Sequence, residues 1–229
     1  MNKRKAEILL REPNQFFHHD RVFINNPVVT LGMGLAPLVV MATNGKNALM
    51  LAVAVTLLLT PTRVLGSLLL GRVRKLLARG IGYCAIAAMV YIAVYQILSR
   101  LFGTDLLSLG IYLPMLCMEP LIIYRSGSKP ETPRRALSKG LRVTCGYVLV
   151  LLVLGCLREI LAYGTLFGNV LNDTGILPMA SMPAGGFITL GVLCAAWRAC
   201  VRRYKKFLVT EAHNQTVAGR SEPEGRQAQ

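Results

Sequence analysis

Four ionisable side chains stand inside otherwise apolar segments of this 229-residue chain: Arg63, Glu119, Arg158 and Glu159. A charge in hydrocarbon is costly, so such a group faces protein, a headgroup or a water-filled cavity and marks an ion path or a buried pair. Glu119 lies beside Pro120 in an apolar run that ends at Arg125. It reads either as a proton or Na⁺ site, able to pair with Arg63, or as a solvated carboxylate near the end of its segment. Arg158 and Glu159 are adjacent, so on a helix they point about 100° apart and meet other groups rather than each other. They read as a structural anchor or as part of an ion path. The six cysteines, at 84, 117, 145, 156, 194 and 200, form no Cys-x-x-Cys pair and all lie in or beside apolar runs. They read as small buried hydrophobes rather than a disulfide framework. No phosphate-binding loop, zinc-type spacing or Ser/His/Asp arrangement stands out.

Two interrupted stretches must position these groups. Asn26 to Asn47 is apolar but broken by Gly32, Gly34 and Pro37. Ser108 to Arg125 is broken by Gly110, Pro114 and Pro120. Each runs from Leu-Gly toward a proline. Short, interrupted apolar segments in matching positions of two halves point to a functional site at mid-membrane. The backbone groups freed by Gly and Pro survive there only where protein, a cofactor or water covers them.

Composition agrees. The chain is 53% hydrophobic and 16% charged, with a mean hydropathy of +0.48, and its apolar residues come in long blocks. This predicts an all-α polytopic membrane protein. Six spans are expected at roughly 27–43, 48–70, 80–100, 106–124, 143–163 and 184–200, the first and fourth broken. The net charge of +15 does not imply nucleic acid, because of its distribution. With both termini on one side, all of the 26 Lys and Arg except Lys46, Arg63, Arg100 and Arg158 fall on that side. That bias makes it the cytoplasmic side and suits contact with the anionic bilayer surface. Three spans per half force the second half to enter from the opposite face, giving two inverted three-helix repeats at about 26–100 and 106–200.

The ends are polar. Residues 1–25 form a basic cytoplasmic lead without a cleavable signal, and the apolar residues in it suggest an interfacial helix broken near Pro13. His18 and His19 within it would not share a helix face. The inner loop Ser126–Gly140 divides the halves, and the outer segment 164–183 reads as irregular. Residues 201–229 read as a basic, then disordered, cytoplasmic tail.

The motif Asn26-Pro27-Val28-Val29-Thr30-Leu31-Gly32-Met33-Gly34-Leu35-Ala36-Pro37 resembles the opening of the paired six-span subunits of Rnf and Nqr electron-transport complexes, closest to the Rnf E and Nqr D type. The resemblance continues through Asn47-Ala48-Leu49, Ser108-Leu109-Gly110-Ile111, Arg158-Glu159-Ile160-Leu161, Gly164-Thr165-Leu166-Phe167-Gly168 and Pro183-Ala184-Gly185-Gly186-Phe187, covering about residues 26–200. It implies a bacterial-type inner membrane protein beside a homologous six-span subunit, with flavin and iron–sulfur subunits in the complex. It also implies a 2Fe–2S cluster shared with that homologue, two cysteines from each, and electron flow from ferredoxin or NADH coupled to Na⁺ or H⁺ transport. Iron–sulfur clusters need thiolates, and here the sequence departs. The family's cysteine positions correspond to Ala36 and Pro120, with Cys117 one turn upstream as a shifted candidate, and Arg63 stands where the family has Asn. The function expected is therefore a membrane subunit of such a complex without the usual cluster ligands. The alternatives are a stand-alone inverted-repeat small transporter and a purely structural assembly subunit.

Overall fold

Asn26 opens the first described helix of the chain. The computed structural model describes residues 22–71, 73, 75–119, 133–171 and 175–221. The fully buried Asn26 side chain accepts from the Val28 N–H at 3.0 Å, capping helix α1 (Pro27–Leu31). Its amide donates to the Val22 carbonyl at 2.9 Å and to the Gly146 carbonyl at 2.7 Å. One side chain thus caps a helix and ties it to a helix 120 residues away. Proline is favoured at N1, where no N–H is needed, and Pro27 takes that place.

Helix α1 ends after five residues because Gly32 turns left-handed at φ +64°, and Gly34 does so again at φ +71°. Only glycine adopts that backbone without penalty. Helix α2 (Leu35–Val40) follows. The interruption is therefore at Gly32 and Gly34; Pro37 does not break the chain but sits in the first turn of α2, where a missing N–H costs nothing.

Helix α3 (Gly45–Leu69) is capped by Asn44, whose side chain accepts from the Asn47 N–H at 2.8 Å. It runs through Pro61 and Arg63, and its 25 residues span about 37 Å, more than the ~30 Å of hydrocarbon. Helix α4 (Leu76–Phe102) returns. The second interrupted stretch comes next: a 3₁₀ turn at Gly103–Leu109, the short helix α5 (Tyr112–Met115), and a second 3₁₀ turn at Leu116–Met118. Gly110 between them has φ +47°. The likeness to the first stretch is close: a left-handed glycine, then a short helix whose third residue is proline, Pro37 in α2 and Pro114 in α5.

Helix α6 (Pro133–Tyr163) begins ten residues before the expected fifth span, taking in part of the expected inner loop. A short antiparallel hairpin, β1 (Thr165–Leu166) and β2 (Asn169–Val170), and a 3₁₀ turn at Pro178–Ser181 occupy the outer segment read as irregular. Phe167 and Gly168 at the hairpin tip both have positive φ, as a two-residue turn matching strand twist requires. Helix α7 (Pro183–Ser221) continues well past the expected end near 200, so much of the tail read as disordered is helical. The expected interfacial helix with His18 and His19, the position Pro120, and the loop from 120 to 132 lie outside the described residues.

Among the described residues, four helices are long and apolar enough to cross a membrane: Gly45–Leu69, Leu77–Leu109, Pro133–Tyr163 and Pro183–Asn214. Helices α3 and α6 form the centre. They touch where Gly155 lies on Ala48 and the Asn44 backbone, with no room for a side chain. Small residues at such crossings let helices pack closely in a bilayer. Around this pair lies a core of Leu51, Leu58, Leu59, Val150, Leu151 and Leu154, all at 2% exposure or less.

Candidate functional site

Arg158 is the largest fully buried side chain in the described structure. Its guanidinium has five N–H donors, and five backbone carbonyls meet them. Nε donates to Ala180 O at 2.8 Å; Nη1 donates to Val39 O at 2.6 Å and Ala42 O at 3.0 Å. Nη2 donates to Ser181 O at 3.1 Å and Met182 O at 3.2 Å. Val39 and Ala42 lie at and just past the end of α2, and the other three lie at the end of the last 3₁₀ turn. Helix ends leave carbonyls unsatisfied and carry partial negative charge. The cation thus joins two chain ends that each lack donors. Gly186 of α7 leaves it room, since a Cβ there would come 2.8 Å from Val39 O and 3.0 Å from Arg158 Cζ.

Glu159 does the converse. Its Oε2 accepts from the Gly45 N–H at 2.7 Å, at the first residue of α3. Its Oε1 accepts from Thr165 Oγ1 and from the Gly168 N–H, each at 3.1 Å. The carboxylate therefore sits at a helix N-terminus, where the dipole favours it, and holds the hairpin against it. Cation and anion together clamp both sides of the turn Met41–Asn44, which joins the interrupted stretch to α3. At the same end, Lys46 and Asp105 form an ion pair at 2.8 Å, and Ser108 Oγ donates to Asn47 Oδ1 at 3.2 Å. These two contacts attach the second interrupted stretch to the start of α3.

Eleven residues back along α6 from Arg158, about 16 Å along the axis, Tyr147 is 1% exposed. Its hydroxyl donates to the Gly34 carbonyl at 3.1 Å, in the break of the first stretch. A small cavity opens here, lined by Gly34, Val55, Leu58, Leu59, Leu116, Glu119 and Tyr147. It brings together the break of the first stretch, the end of the second, and the middle of α3 and α6. Among the described residues, nothing pairs with the Glu119 carboxyl by a hydrogen bond or an ion pair. The structure does not join Glu119 to Arg63. Arg63 is buried in α3 with its side chain against Gly140 of α6.

The remaining candidates divide. Gly32, Gly34 and Gly110 provide the left-handed breaks, whereas Pro37 and Pro114 start the short helices that follow. Ala36 is exposed and Cys117 is buried in the apolar core. The six cysteines are free thiols, and among the described residues no group of three or more His, Cys, Asp or Glu could hold a metal ion. Two residues of the site were not singled out from sequence. Tyr147 carried one usable signal, a hydroxyl within a long apolar run that needs a partner once buried. Asn26 carried another, a cap residue directly before Pro27.

Residues 16–194 match the family described as Rnf-Nqr subunit, membrane protein. The E subunit of the ion-translocating oxidoreductase complex of Shewanella oneidensis is 34% identical over 190 residues, covering 75% of this chain and 81% of that protein. The protein of the same name from Shewanella frigidimarina is 36% identical over 190 residues with the same coverage. That of Shewanella sp. ANA-3 is 33% identical over 201 residues, 80% of this chain and 85% of its own.

Proposed function

The chain belongs to the Rnf-Nqr subunit family of membrane proteins, and we propose that it is an integral membrane subunit of an ion-translocating electron-transport complex. The observation that carries this reading is the agreement between the family match and the doubled pattern of the fold. A glycine break, a short helix with proline third, and two long helices occur twice in the chain. We read the two interrupted stretches as the first and fourth of six spans, in two inverted three-helix repeats, with the break of the first and the end of the second lining the cavity. In this reading the basic side and both termini are cytoplasmic, in a bacterial-type inner membrane. A homologous six-span subunit and flavin and iron–sulfur subunits are its partners, with electrons entering from ferredoxin or NADH.

The residues present do not fit a shared 2Fe–2S cluster. Ala36 offers a methyl group and Pro120 no thiol, while Cys117 lies in the apolar core with no partner ligand set around it among the described residues. What the cavity offers instead is a carboxyl group with no pairing cation among the described residues. In this chain Glu119 is the cation-handling group of the ion path, with Tyr147 holding the break open beside it. Arg158 and Glu159 fix the end of the first stretch and the start of α3 at the far end of α6.

Redox-driven ion uptake in inverted membrane vesicles tests the reading. Removing the chain should abolish uptake, and Glu119→Gln should abolish coupling while the complex remains assembled. Normal coupling in Glu119→Gln would overturn the role of that carboxyl, and unchanged uptake without the chain would overturn the reading itself. Ion transport by the chain alone would favour a stand-alone transporter, the alternative that the missing thiols support.

A further inference from the structure

Helix α7 is longer than a membrane needs. Its 39 residues extend about 58 Å against a hydrocarbon layer of ~30 Å. From Pro183 to Trp197 it carries no charge, and then Arg198, Arg202, Arg203, Lys205 and Lys206 follow with no acidic residue before Glu211. One face of this basic part is used inside the protein. Trp197, Val201, Leu208 and Ala212 pack with Ile24. Trp197 Nε1 donates to the Phe23 carbonyl at 2.9 Å, and their ring centroids are 5.1 Å apart. Phe23 also meets Tyr204 edge-on at 6.4 Å. Arg198 Nε donates to the Val29 carbonyl at 3.2 Å. The approach to α1 is therefore fixed along α7.

Arg202, Arg203 and Lys206 are all exposed. Their spacing, i to i+4 and i to i+3, puts them on one helix face, and the exposed Phe207 follows Arg203 by one turn. The last apolar residue before them is Val201. The three cations fall within roughly 8 Å beyond it along the axis, which is the depth of a headgroup layer of about 5–8 Å. Three cations at phosphate depth, with aromatic rings beside them, match an anionic phospholipid. We infer that the Arg202–Arg203–Lys206 face of α7 binds anionic phospholipid headgroups of the adjoining leaflet. The face would prefer phosphatidylglycerol to a zwitterionic lipid and would fix the depth of the helix.

Trp197 is the only tryptophan in the chain and lies just over one turn from the face. The full-length chain can be reconstituted into phosphatidylcholine vesicles containing a minor fraction of brominated phosphatidylglycerol, or the same fraction of brominated phosphatidylcholine. At about fivefold per cation, three cations favour the anionic lipid by up to roughly a hundredfold, so brominated phosphatidylglycerol should quench Trp197 much more strongly. High salt and the triple variant Arg202→Gln/Arg203→Gln/Lys206→Gln should each reduce the preference at least tenfold. The variant Arg202→Lys/Arg203→Lys should keep most of it. Equal quenching by the two lipids in the unaltered chain would overturn the inference, as would a preference unchanged in the triple variant. Loss of a soluble subunit from the triple variant, with no lipid preference in the unaltered chain, would assign the face to an acidic protein surface instead.

Discussion

Arg158 and Glu159 are neighbours in sequence, yet their side chains share no hydrogen bond; each closes a different helix end. Arg158 gathers carbonyls from the end of α2 and from the 178–182 turn, and Glu159 gathers the first N–H of α3 and the hairpin tip. A cation at helix C-termini and an anion at a helix N-terminus follow the direction of the backbone dipoles. Buried charges are tolerable when every donor and acceptor is used, as these are.

Replacing Arg158 by leucine should destabilise the chain by about 3–5 kcal/mol, because three buried and two part-buried carbonyls lose their donor. In detergent the thermal unfolding midpoint should fall by at least about 6 °C. Arg158→Lys keeps the charge but has three donors rather than five, so it should fall in between. An unchanged midpoint in both variants would refute the anchor.

Glu159→Gln should act locally. The amide keeps one acceptor oxygen and loses the charge at the start of α3, at a cost of about 1–2 kcal/mol. Hydrogen exchange should speed up at Gly45 and Gly168 and remain unchanged at the centre of α6. Equal protection at both amides would show that the carboxylate does not hold the hairpin.

Tyr147→Phe should cost about 1–3 kcal/mol by leaving the Gly34 carbonyl without its buried donor. Gly34→Ala should cost more. The new methyl group would collide with the Tyr147 ring, and φ +71° is strained for any side chain. The double variant Gly34→Ala/Tyr147→Phe should be no more stable than Gly34→Ala, since the ring remains. A fully stable Gly34→Ala variant would contradict the left-handed break.

The helices and breaks were legible because they rest on local signals. Long apolar runs, Asn26 before Pro27, and Gly32, Gly34 and Gly110 within apolar stretches all say where a helix must start or stop. The prolines misled in one respect: their shared third position in α2 and α5 makes them helix starters, which only the backbone reveals. The basic segments at 133–142 and 201–221 looked like loop and tail because charge masks helix where no bilayer enforces hydropathy. The site was partly legible. The positions of Arg158 and Glu159 in an apolar run marked them, but their partners come from residues as much as 119 apart in the chain. The same distance problem hid the Tyr147–Gly34 bond, 113 residues apart, and made Arg63 and Glu119 look like natural partners. Opposite charges in two spans do not say which faces those spans turn to each other.

Purification of the tagged, full-length chain from native membranes, with mass spectrometry of what accompanies it, tests the central claim most directly. A subunit of an ion-translocating electron-transport complex should bring with it a homologous six-span membrane protein and flavin- and iron–sulfur-bearing subunits in fixed proportion. Recovery of the chain alone, or only with copies of itself, would contradict that claim.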